Sequence, residues 1–296
     1  MSVNTSGGPA AAAVAARPPE PRRATTIRPP AFSWGGLAND LRKLAHYRDL
    51  LYTLSVHRIK VRYKQSALGA AWAVLQPLSL MLVYTLVFSY IARVRTGGVP
   101  YALFAYAALL PWTFFSTALT SATNGLVSHQ NLVTKVYFPR EILPLTYVFA
   151  ALFDFAVASS VFFALFAYYR VPLGAGALYA LPVVAVLVVF TTAASLVFSA
   201  TQVRVRDIGV AMPLLLQLWM FATPVVYPLE AVPAGLRGLY MLNPLVGVVE
   251  GFRNATLHGA APDARLLATS AAASLLLLAA AYAYFKRVEA TIADVI

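Results

Sequence analysis

The ionisable and nucleophilic residues of the sequence form no familiar catalytic pattern. The chain has no Gly-Lys pair, so it lacks the phosphate-binding loop of the common ATPases, and it has no Gly-x-Ser-x-Gly elbow. Its four histidines lack the spacing of metal ligands, and it has no cysteine for a disulfide, a thiolate metal site or a nucleophile. We therefore expect no catalytic residue, and no metal or cofactor bound by this chain itself.

One carboxylate, that of Asp154, lies inside a long apolar run. It follows Ile142 by twelve residues, which is about 18 Å along a helix, and a charge at that depth in a membrane is expensive. Small residues share its helical face: Ala150, Ala151 and Ala158. No lysine or arginine occurs at a comparable depth in any apolar run, so a structural role would need a hydroxyl or amide partner such as Gln76 or Gln217. The alternative, which the sequence favours less, is a role in a translocation path or in coupling.

The composition places this residue in a membrane. Of the 296 residues, 60% are hydrophobic and 11% are charged, whereas a soluble domain carries about 25% charged residues. Spanning a bilayer takes about 20 apolar residues per helix, and six runs reach that length: 67–92, 101–120, 142–169, 177–200, 208–226 and 266–285. The sequence therefore predicts an all-α integral membrane protein with six transmembrane helices over residues 67–285.

Two different segments precede the first apolar run. Residues 1–31 contain six prolines, an alanine-rich run and four arginines, a composition typical of a disordered tail. Residues 33–66 carry two apolar stripes at helical spacing, Leu37, Leu41, Leu44, Tyr47, Leu51 and Leu54 on one, and Tyr52, Val56, Ile59 and Tyr63 on the other. Basic residues lie between the stripes. We expect an amphipathic interface helix that lies along lipid headgroups or packs on a partner.

The basic residues also predict the orientation. If both termini are cytoplasmic, that side holds 17 of the 23 lysines and arginines, including two in the C-terminal segment 286–296. Positive charge concentrates on the cytoplasmic side of membrane proteins, so we expect a multi-pass protein of the bacterial cytoplasmic membrane with both termini inside. Topology accounts for the net charge of +12, and binding to nucleic acid is not expected.

The segment between the last two apolar runs, residues 227–264, is too apolar for a solvated loop. Asn243 followed by Pro244 is typical of a helix N-cap and first helical residue. A helix over 244–257, which contains Glu250 and Arg253, would be about 21 Å long, too short to cross a core of about 30 Å. Gly247 and Gly251 would allow close helix contact. The pattern predicts a re-entrant helical hairpin.

Aromatic residues inside two of the apolar runs could contact a substrate. Tyr84 and Phe88 lie one turn apart in the first run, and Trp219 and Phe221 lie in the fifth. Sugar rings stack their apolar faces on aromatic side chains, so these residues suit a carbohydrate path. Each one taken alone fits core packing better.

Three segments resemble a known family. They are IKVRYKQSALGAAWAVLQPL (59–78), LLPWTFFSTALTSATNGLVSHQNLVTKVYFPREILP (109–144) and LNPLVGVVEGFRNATLHG (242–259). They are similar to the permease subunits of ABC-2-type transporters that export O-antigen, capsule or teichoic acid, and most of all to the O-antigen permeases. The similarity extends over about residues 40–287.

The resemblance implies a homodimer bound to two copies of a separate ABC ATPase subunit, which would carry ATP and Mg. It implies a cytoplasmic interface helix, six spans and short re-entrant helices between spans five and six. It assigns a coupling role toward the ATPase to the turn 131–143, with Lys135, Tyr137, Phe138, Arg140 and Glu141. It assigns spans one and five to the channel, which strengthens the case for Tyr84, Phe88, Trp219 and Phe221 as the substrate path.

We therefore expect a permease that exports a lipid-linked polysaccharide of the O-antigen kind across the cytoplasmic membrane. A capsular polysaccharide, a teichoic acid or a small amphiphilic drug are alternative cargoes. A membrane enzyme acting on polyprenyl-linked substrates is a further alternative, but such enzymes usually show clustered acids, and the 11 acidic residues here are dispersed. A non-transporting scaffold would leave the coupling turn without a role.

Overall fold

The computed structural model of the protein describes residues 42, 44–64, 68–69, 71–94, 96–172 and 174–295. The predicted disordered tail, 1–31, and the first part of the predicted interface helix, 33–41, lie outside these residues and stay predictions. All regular structure in the described ranges is helical, which confirms the all-α fold class.

Ten helices follow one another along the described chain. They are α1 (Arg48–Lys64), α2 (Ala71–Tyr84, continued by a π-helical segment, Thr85–Ile91), α3 (Tyr101–Ser128), α4 (Gln130–Lys135), α5 (Ile142–Tyr169), α6 (Ala180–Arg204), α7 (Asp207–Phe221), α8 (Ala234–Met241), α9 (Pro244–Leu257) and α10 (Ala264–Val295). Two short 3-10 helices, Ala175–Tyr179 and Leu229–Ala231, lie in the connections. Two helix ends have recognisable local causes: α3 starts directly after Pro100, and α5 ends at Tyr169, where the C-cap residue Arg170 takes a left-handed conformation (φ 54°) two residues before Pro172.

Five helical stretches in the described residues are long and apolar enough to cross a bilayer: Ala71–Ile91, Tyr101–Ser128, Ile142–Tyr169, Ala175–Arg204 and Ala264–Glu289. The predicted fifth span, 208–226, differs from the other five. Its helix, α7, has 15 residues, or about 22 Å, and residues 222–227 continue as turns. The structure thus describes five full-length apolar helices and one short one where the sequence predicted six full-length spans.

Helix α3 is the centre of the packing. It contacts α2, α5, α6, α7 and α9, and the side chains of Leu103, Tyr106 and Phe115 have no exposed surface. A helix that is apolar on every side is stable only where other helices or lipid surround it. The Tyr106 hydroxyl donates to the carbonyl oxygen of Ala158 on α5 at 3.0 Å, so its polar atom is also satisfied in the core.

A second buried cluster is built from the start of α5, the second half of α6 and the C-terminal part of α10, and it includes Phe138, Ile142 and Phe285. The described part of the first apolar stripe, which includes Leu44, Leu51 and Leu54, packs against this cluster. We expected that stripe to meet headgroups or a partner, but in the structure its described residues are partly buried against the chain's own core. The reason is geometric: α1 runs beside α5, so its apolar side faces protein. On its outward side, Tyr52 and Val61 are exposed.

Helix α9 packs closely on its neighbours through its two glycines. A methyl group at Gly247 would meet the hydroxyl of Ser270 and would lie 2.9 Å from the carbonyl oxygen of Leu266, both on α10. A methyl group at Gly251 would lie 3.2 Å from a methyl carbon of Val183 on α6. The glycines therefore let α9 lie against two long helices at once.

This packing predicts a graded response to alanine. Gly247→Ala should lower the free energy of unfolding by about 1–3 kcal/mol, because a backbone carbonyl on α10 cannot move aside easily. Gly251→Ala should cost less, since only a side chain must shift. The control is Gly238→Ala on α8, where nothing lies within 4 Å and alanine should be neutral or stabilising. Thermal unfolding in detergent measures all three, and equal melting of Gly247→Ala and Gly238→Ala would contradict the close contact.

Candidate functional site

The first pair of aromatic candidates forms part of an aromatic row at the end of α2. The rings of Tyr84 and Phe88 have centroids 6.1 Å apart, and Phe88 stacks on Tyr101 of α3 at 6.2 Å. The Tyr84 hydroxyl points at the sulfur of Met220 on α7, 3.6 Å away. Both candidates are half-buried, and Phe88 lies in the π-helical segment, a distortion frequent at functional sites.

The two residues of the second pair, Trp219 and Phe221, have different environments. Trp219 is wedged between Phe115 of α3 and Phe190 of α6, with ring centroids 5.1 Å and 6.0 Å away. Its indole N–H donates to the side-chain oxygen of Asn243 at 3.3 Å. Phe221, in contrast, is 50% exposed. Trp219 is therefore half-buried against two rings, whereas Phe221 presents a free ring face.

Asn243 joins the end of α7 to the start of α9 through both atoms of its amide. The oxygen accepts from the backbone N–H of Leu245, as an N-cap does, and the nitrogen donates to the carbonyl oxygen of Ala222 and the hydroxyl of Thr223. The sequence predicted only the cap. A groove of about 440 Å³ runs beside this junction and is lined in part by Trp219, Tyr240 and Pro244.

Every backbone carbonyl from Phe221 to Tyr227 accepts a hydrogen bond, although the segment is not helical. Side chains supply most of the donors: the Tyr227 hydroxyl to Phe221, Asn243 to Ala222, Tyr101 to Val226, and Arg253 to Pro224, Val225 and Tyr227. The carbonyl of Thr223 accepts from the N–H of Val225. Non-helical backbone at membrane depth is stable only when protein satisfies it in this way.

Arg253 is the main donor, and it is 2% exposed. Its guanidinium stacks on the Phe104 ring with 3.7 Å from Cζ to the ring centroid, and one nitrogen lies 3.1 Å from the Glu250 carboxylate. A planar group with five N–H donors can serve several carbonyls at once, which a lysine cannot do. The sequence placed Arg253 and Glu250 on the predicted helix, and their spacing of three residues indicated that the two side chains could pair. Nothing in the sequence indicated the carbonyls that Arg253 binds.

The predicted coupling turn has an exposed part and a buried part. Tyr137 is 96% exposed, and Lys135 and Val136 beside it are also exposed. The ring of Phe138 is buried in the cluster under α1. The turn thus exposes the ring of Tyr137 and is anchored in the core by the ring of Phe138.

Arg140 and Glu141 are bound within the chain. The Arg140 backbone N–H donates to the Glu289 carboxylate at 3.1 Å and its guanidinium to the Glu289 carbonyl oxygen at 2.6 Å, while Lys286 pairs with Glu141 at 2.8 Å. Burial, reinforced by the nearby Glu289, raises the pKa of the Glu141 carboxyl, and Lys286 opposes that shift. The family resemblance assigned both residues a role in coupling to an ATPase, which stays a prediction. Within the chain they attach the turn to α10, because the last turns of α10 pass directly beside it.

Asp154 has two partners that could not be predicted from the sequence. The guanidinium of Arg62 and the hydroxyl of Tyr63, both on α1, contact its carboxylate. Burial, together with the hydrogen bond to Asp154, raises the pKa of Tyr63 to about 12. Neither Gln76 nor Gln217 is the partner, since the long side chain of Arg62 reaches the acid from the helix that precedes the spans.

A second arginine of α1 binds the same helix. Arg58 donates to the Thr146 hydroxyl at 2.7 Å and lies over the Tyr147 ring, with 3.6 Å from Cζ to the centroid. Arg58 and Arg62 are four residues apart and therefore on one helix face, which was the available signal. With Asp154, they hold α1 along α5.

Comparison with known proteins identifies the family. The family model described as ABC-2 type transporter matches residues 49–257, which run from α1 to the end of α9. The chain belongs to the ABC-2 type transporter family. The matched region contains the coupling turn, Asp154 and Arg253, while α10 lies beyond it.

Individual relatives of this ABC-2 chain carry transport names. It is 35% identical over 249 residues to an O-antigen export system permease protein, RfbA, of Myxococcus xanthus, an alignment that covers 83% of this chain and 95% of that one. It is 27% identical over 217 residues to RfbA of Klebsiella pneumoniae, covering 73% and 83%. It is 23% identical over 214 residues to the polysialic acid transport protein KpsM of Escherichia coli, covering 70% and 80%.

The hydrogen bonds of Arg253 predict a large loss on its removal. Arg253→Met should lower the free energy of unfolding by about 3–5 kcal/mol, since it leaves Glu250 and four backbone carbonyls without this donor. Arg253→Lys should lower the free energy of unfolding by an intermediate amount, because lysine keeps the positive charge but lacks the planar guanidinium with its five donors. Arg265→Met, at an exposed arginine, is the control. Thermal unfolding in detergent is the measurement, and wild-type melting of Arg253→Met would show that the carbonyls do not need this donor.

Proposed function

We propose that this chain is the permease subunit of an ABC transporter that exports a lipid-linked polysaccharide across the bacterial cytoplasmic membrane. The observation that carries the proposal is the relationship to the Myxococcus xanthus O-antigen export permease, which extends over 95% of that protein's length. Membership of the ABC-2 type transporter family and the five long apolar helices agree with such a role.

Energy would come from a separate subunit. The sequence contains no phosphate-binding loop, so ATP and Mg would be bound by an ABC ATPase, two copies of which would serve a homodimer of this chain. The distribution of lysine and arginine supports an orientation with both termini in the cytoplasm. In that orientation, the turn 131–143 faces the ATPase.

The exposed and buried parts of the turn suit the transmission of a movement. Tyr137 would insert into the ATPase, and the salt bridge between Glu141 and Lys286 would carry the displacement to α10. Glu141 also directly precedes α5, so the same displacement reaches α5. Because the salt bridge fixes the turn to α10 and the chain continues directly into α5, the turn would move as one rigid unit with both helices.

A sliding polymer needs many weak contacts that tolerate a change of register. Aromatic faces provide them better than fixed charges, which would hold each repeat unit too firmly. Among the four candidates, Phe221 with its exposed ring and the half-buried pair Tyr84 and Phe88 suit this role. Trp219 is already packed on two rings, and we assign it to support of the path.

A capsular polysaccharide is the alternative cargo, because one relative is a polysialic acid transport protein. Its identity of 23% is lower than the 35% shared with the O-antigen permease. The O-antigen kind of cargo is therefore favoured.

Reconstitution tests the function directly. Vesicles that contain this chain, the ABC ATPase encoded beside its gene, and a lipid-linked O-antigen or capsular glycan should translocate the glycan only with ATP. The chain alone should hydrolyse no ATP above background, and the ATPase subunit should account for all hydrolysis. Hydrolysis by this chain alone, or no transport of either glycan by an assembled complex, would remove the proposal.

The coupling turn gives a sharper prediction. Tyr137→Ala should weaken binding of the ATPase subunit by about 30-fold, the effect of losing an aromatic hot spot worth about 2 kcal/mol, and should reduce export with it. Tyr168→Ala is a matched control, since Tyr168 is a 78% exposed tyrosine near the other end of α5. Pull-down titrations measure the affinity. Equal binding by the two variants would assign the contact to another surface.

A further inference from the structure

A cavity of about 350 Å³ lies between α1, α2, α3 and α5, away from the aromatic row at the end of α2. Its walls include Arg62 and Asp154, already described as a pair, and four further polar side chains: Tyr63 of α1, Gln76 of α2, and Thr113 and Thr117 of α3. Trp72 of α2 also lines it. Arg62, Trp72 and Gln76 are exposed at its edge, so the cavity opens between α1 and α2.

The charges in this cavity balance. The carboxylate of Asp154 and the guanidinium of Arg62 neutralise one another, and each keeps unused capacity, since a carboxylate has about four acceptor sites and a guanidinium five donors. An anion such as phosphate would meet the carboxylate, and a cation would meet the guanidinium. A neutral ligand with neighbouring hydroxyl groups, which both donate and accept, fits the pair.

The Thr113 hydroxyl supplies a further polar contact. Its oxygen is buried and has no hydrogen-bond partner in the part of the chain that the structure describes. A buried polar atom without a partner is costly, and the residue that carries this one, Thr113, is part of the cavity wall. A hydroxyl-bearing ligand would satisfy it.

Trp72 completes the set of groups with an apolar face. Its side chain is 54% exposed, so core packing leaves much of the ring free, and Gln76 follows it by one helical turn on the same face of α2. Ligand sites combine aromatic walls with a few polar groups and begin at about 300 Å³. This cavity is at the small end of that range, which suits one or two sugar rings and excludes a long chain.

We propose that the cavity between α1, α2, α3 and α5 binds a neutral sugar residue, with Trp72 stacked on the ring and Arg62, Asp154, Gln76 and Thr113 bonded to its hydroxyls. The assignment of that sugar to the exported glycan rests on the proposed function. Because Arg62 belongs to α1 and Asp154 to α5, an occupied cavity would also tie α1 more firmly to the span beside it.

Saturation-transfer NMR on the full chain in lipid nanodiscs tests the site, because it detects weak binding and needs neither ATP nor the ATPase. The probes are the methyl α-glycosides of glucose, galactose and mannose, with empty nanodiscs as the blank and inorganic phosphate, followed by phosphorus NMR, as the anionic arm. At least one glycoside should receive magnetisation from the protein, and phosphate should not bind.

Three variants decide whether the signal comes from this cavity. Thr113→Val keeps the shape and removes the unpartnered hydroxyl, so it should melt at or above the wild-type temperature and still weaken glycoside binding at least fivefold. Trp72→Ala should weaken it as much. Thr269→Val, at an exposed threonine on α10, should bind as the wild type does. No transfer above the blank, binding of phosphate in place of sugar, or equal affinity in all three variants would overturn the proposal.

The experiments can refute the sugar site and the proposed transport function independently of each other. Export of a glycan by the reconstituted transporter without glycoside binding would remove the sugar site and leave the permease assignment intact. Glycoside binding that depends on Trp72 and Thr113, in a complex that exports no glycan, would keep the site and remove the assignment of its ligand to an exported polymer.

Discussion

A carbonyl group without a hydrogen bond is too costly to leave in an apolar environment, and this constraint governs the region where α7 ends. Helix α7 stops at Phe221, and the carbonyls that follow are satisfied by side chains from three other parts of the chain, Tyr101, Asn243 and Arg253. The early end of α7 and the turns that follow it are possible because of these donors. Arg253 thus satisfies the backbone at the point where the chain leaves α7.

The same rule applies to the charges. Asp154 is held by Arg62, Glu141 by Lys286 and Glu250 by Arg253. The first two pairs join elements far apart in sequence, and the third occurs within α9, whose arginine then reaches back to the end of α7. Each pair therefore fixes the position of one helix against another element. Helix α1, the turn 131–143 and α9 are attached to the other helices by a few ionic contacts in addition to a larger apolar packing.

Features that depend on residues close together in the sequence were predicted well, whereas contacts between residues distant in the sequence were not. The apolar runs gave five of the long helices, and the Asn243-Pro244 pair gave the start of α9, because both signals depend on neighbours in sequence. The partner of Asp154 could not be predicted, since it lies 92 residues away on a helix expected to lie elsewhere. The contacts of Arg140 and Glu141 with Glu289 and Lys286 could not be predicted for a similar reason: the distance from the turn to the end of α10 is a property of the fold alone.

The burial of α3 has a consequence for biogenesis. Of the helix's most apolar stretch, 83% is buried by other parts of the chain, against 44% at most for the other long helices. Ribosomes synthesise α3 before α5, α6, α7 and α9, so its newly inserted surface meets acyl chains first and exchanges them for protein as each later helix arrives. Its all-round apolar surface suits both neighbours in turn. The Tyr106 hydroxyl, in contrast, gains its acceptor only when Ala158 has been inserted. The order of translation therefore determines how long that hydroxyl stays in lipid without this hydrogen bond.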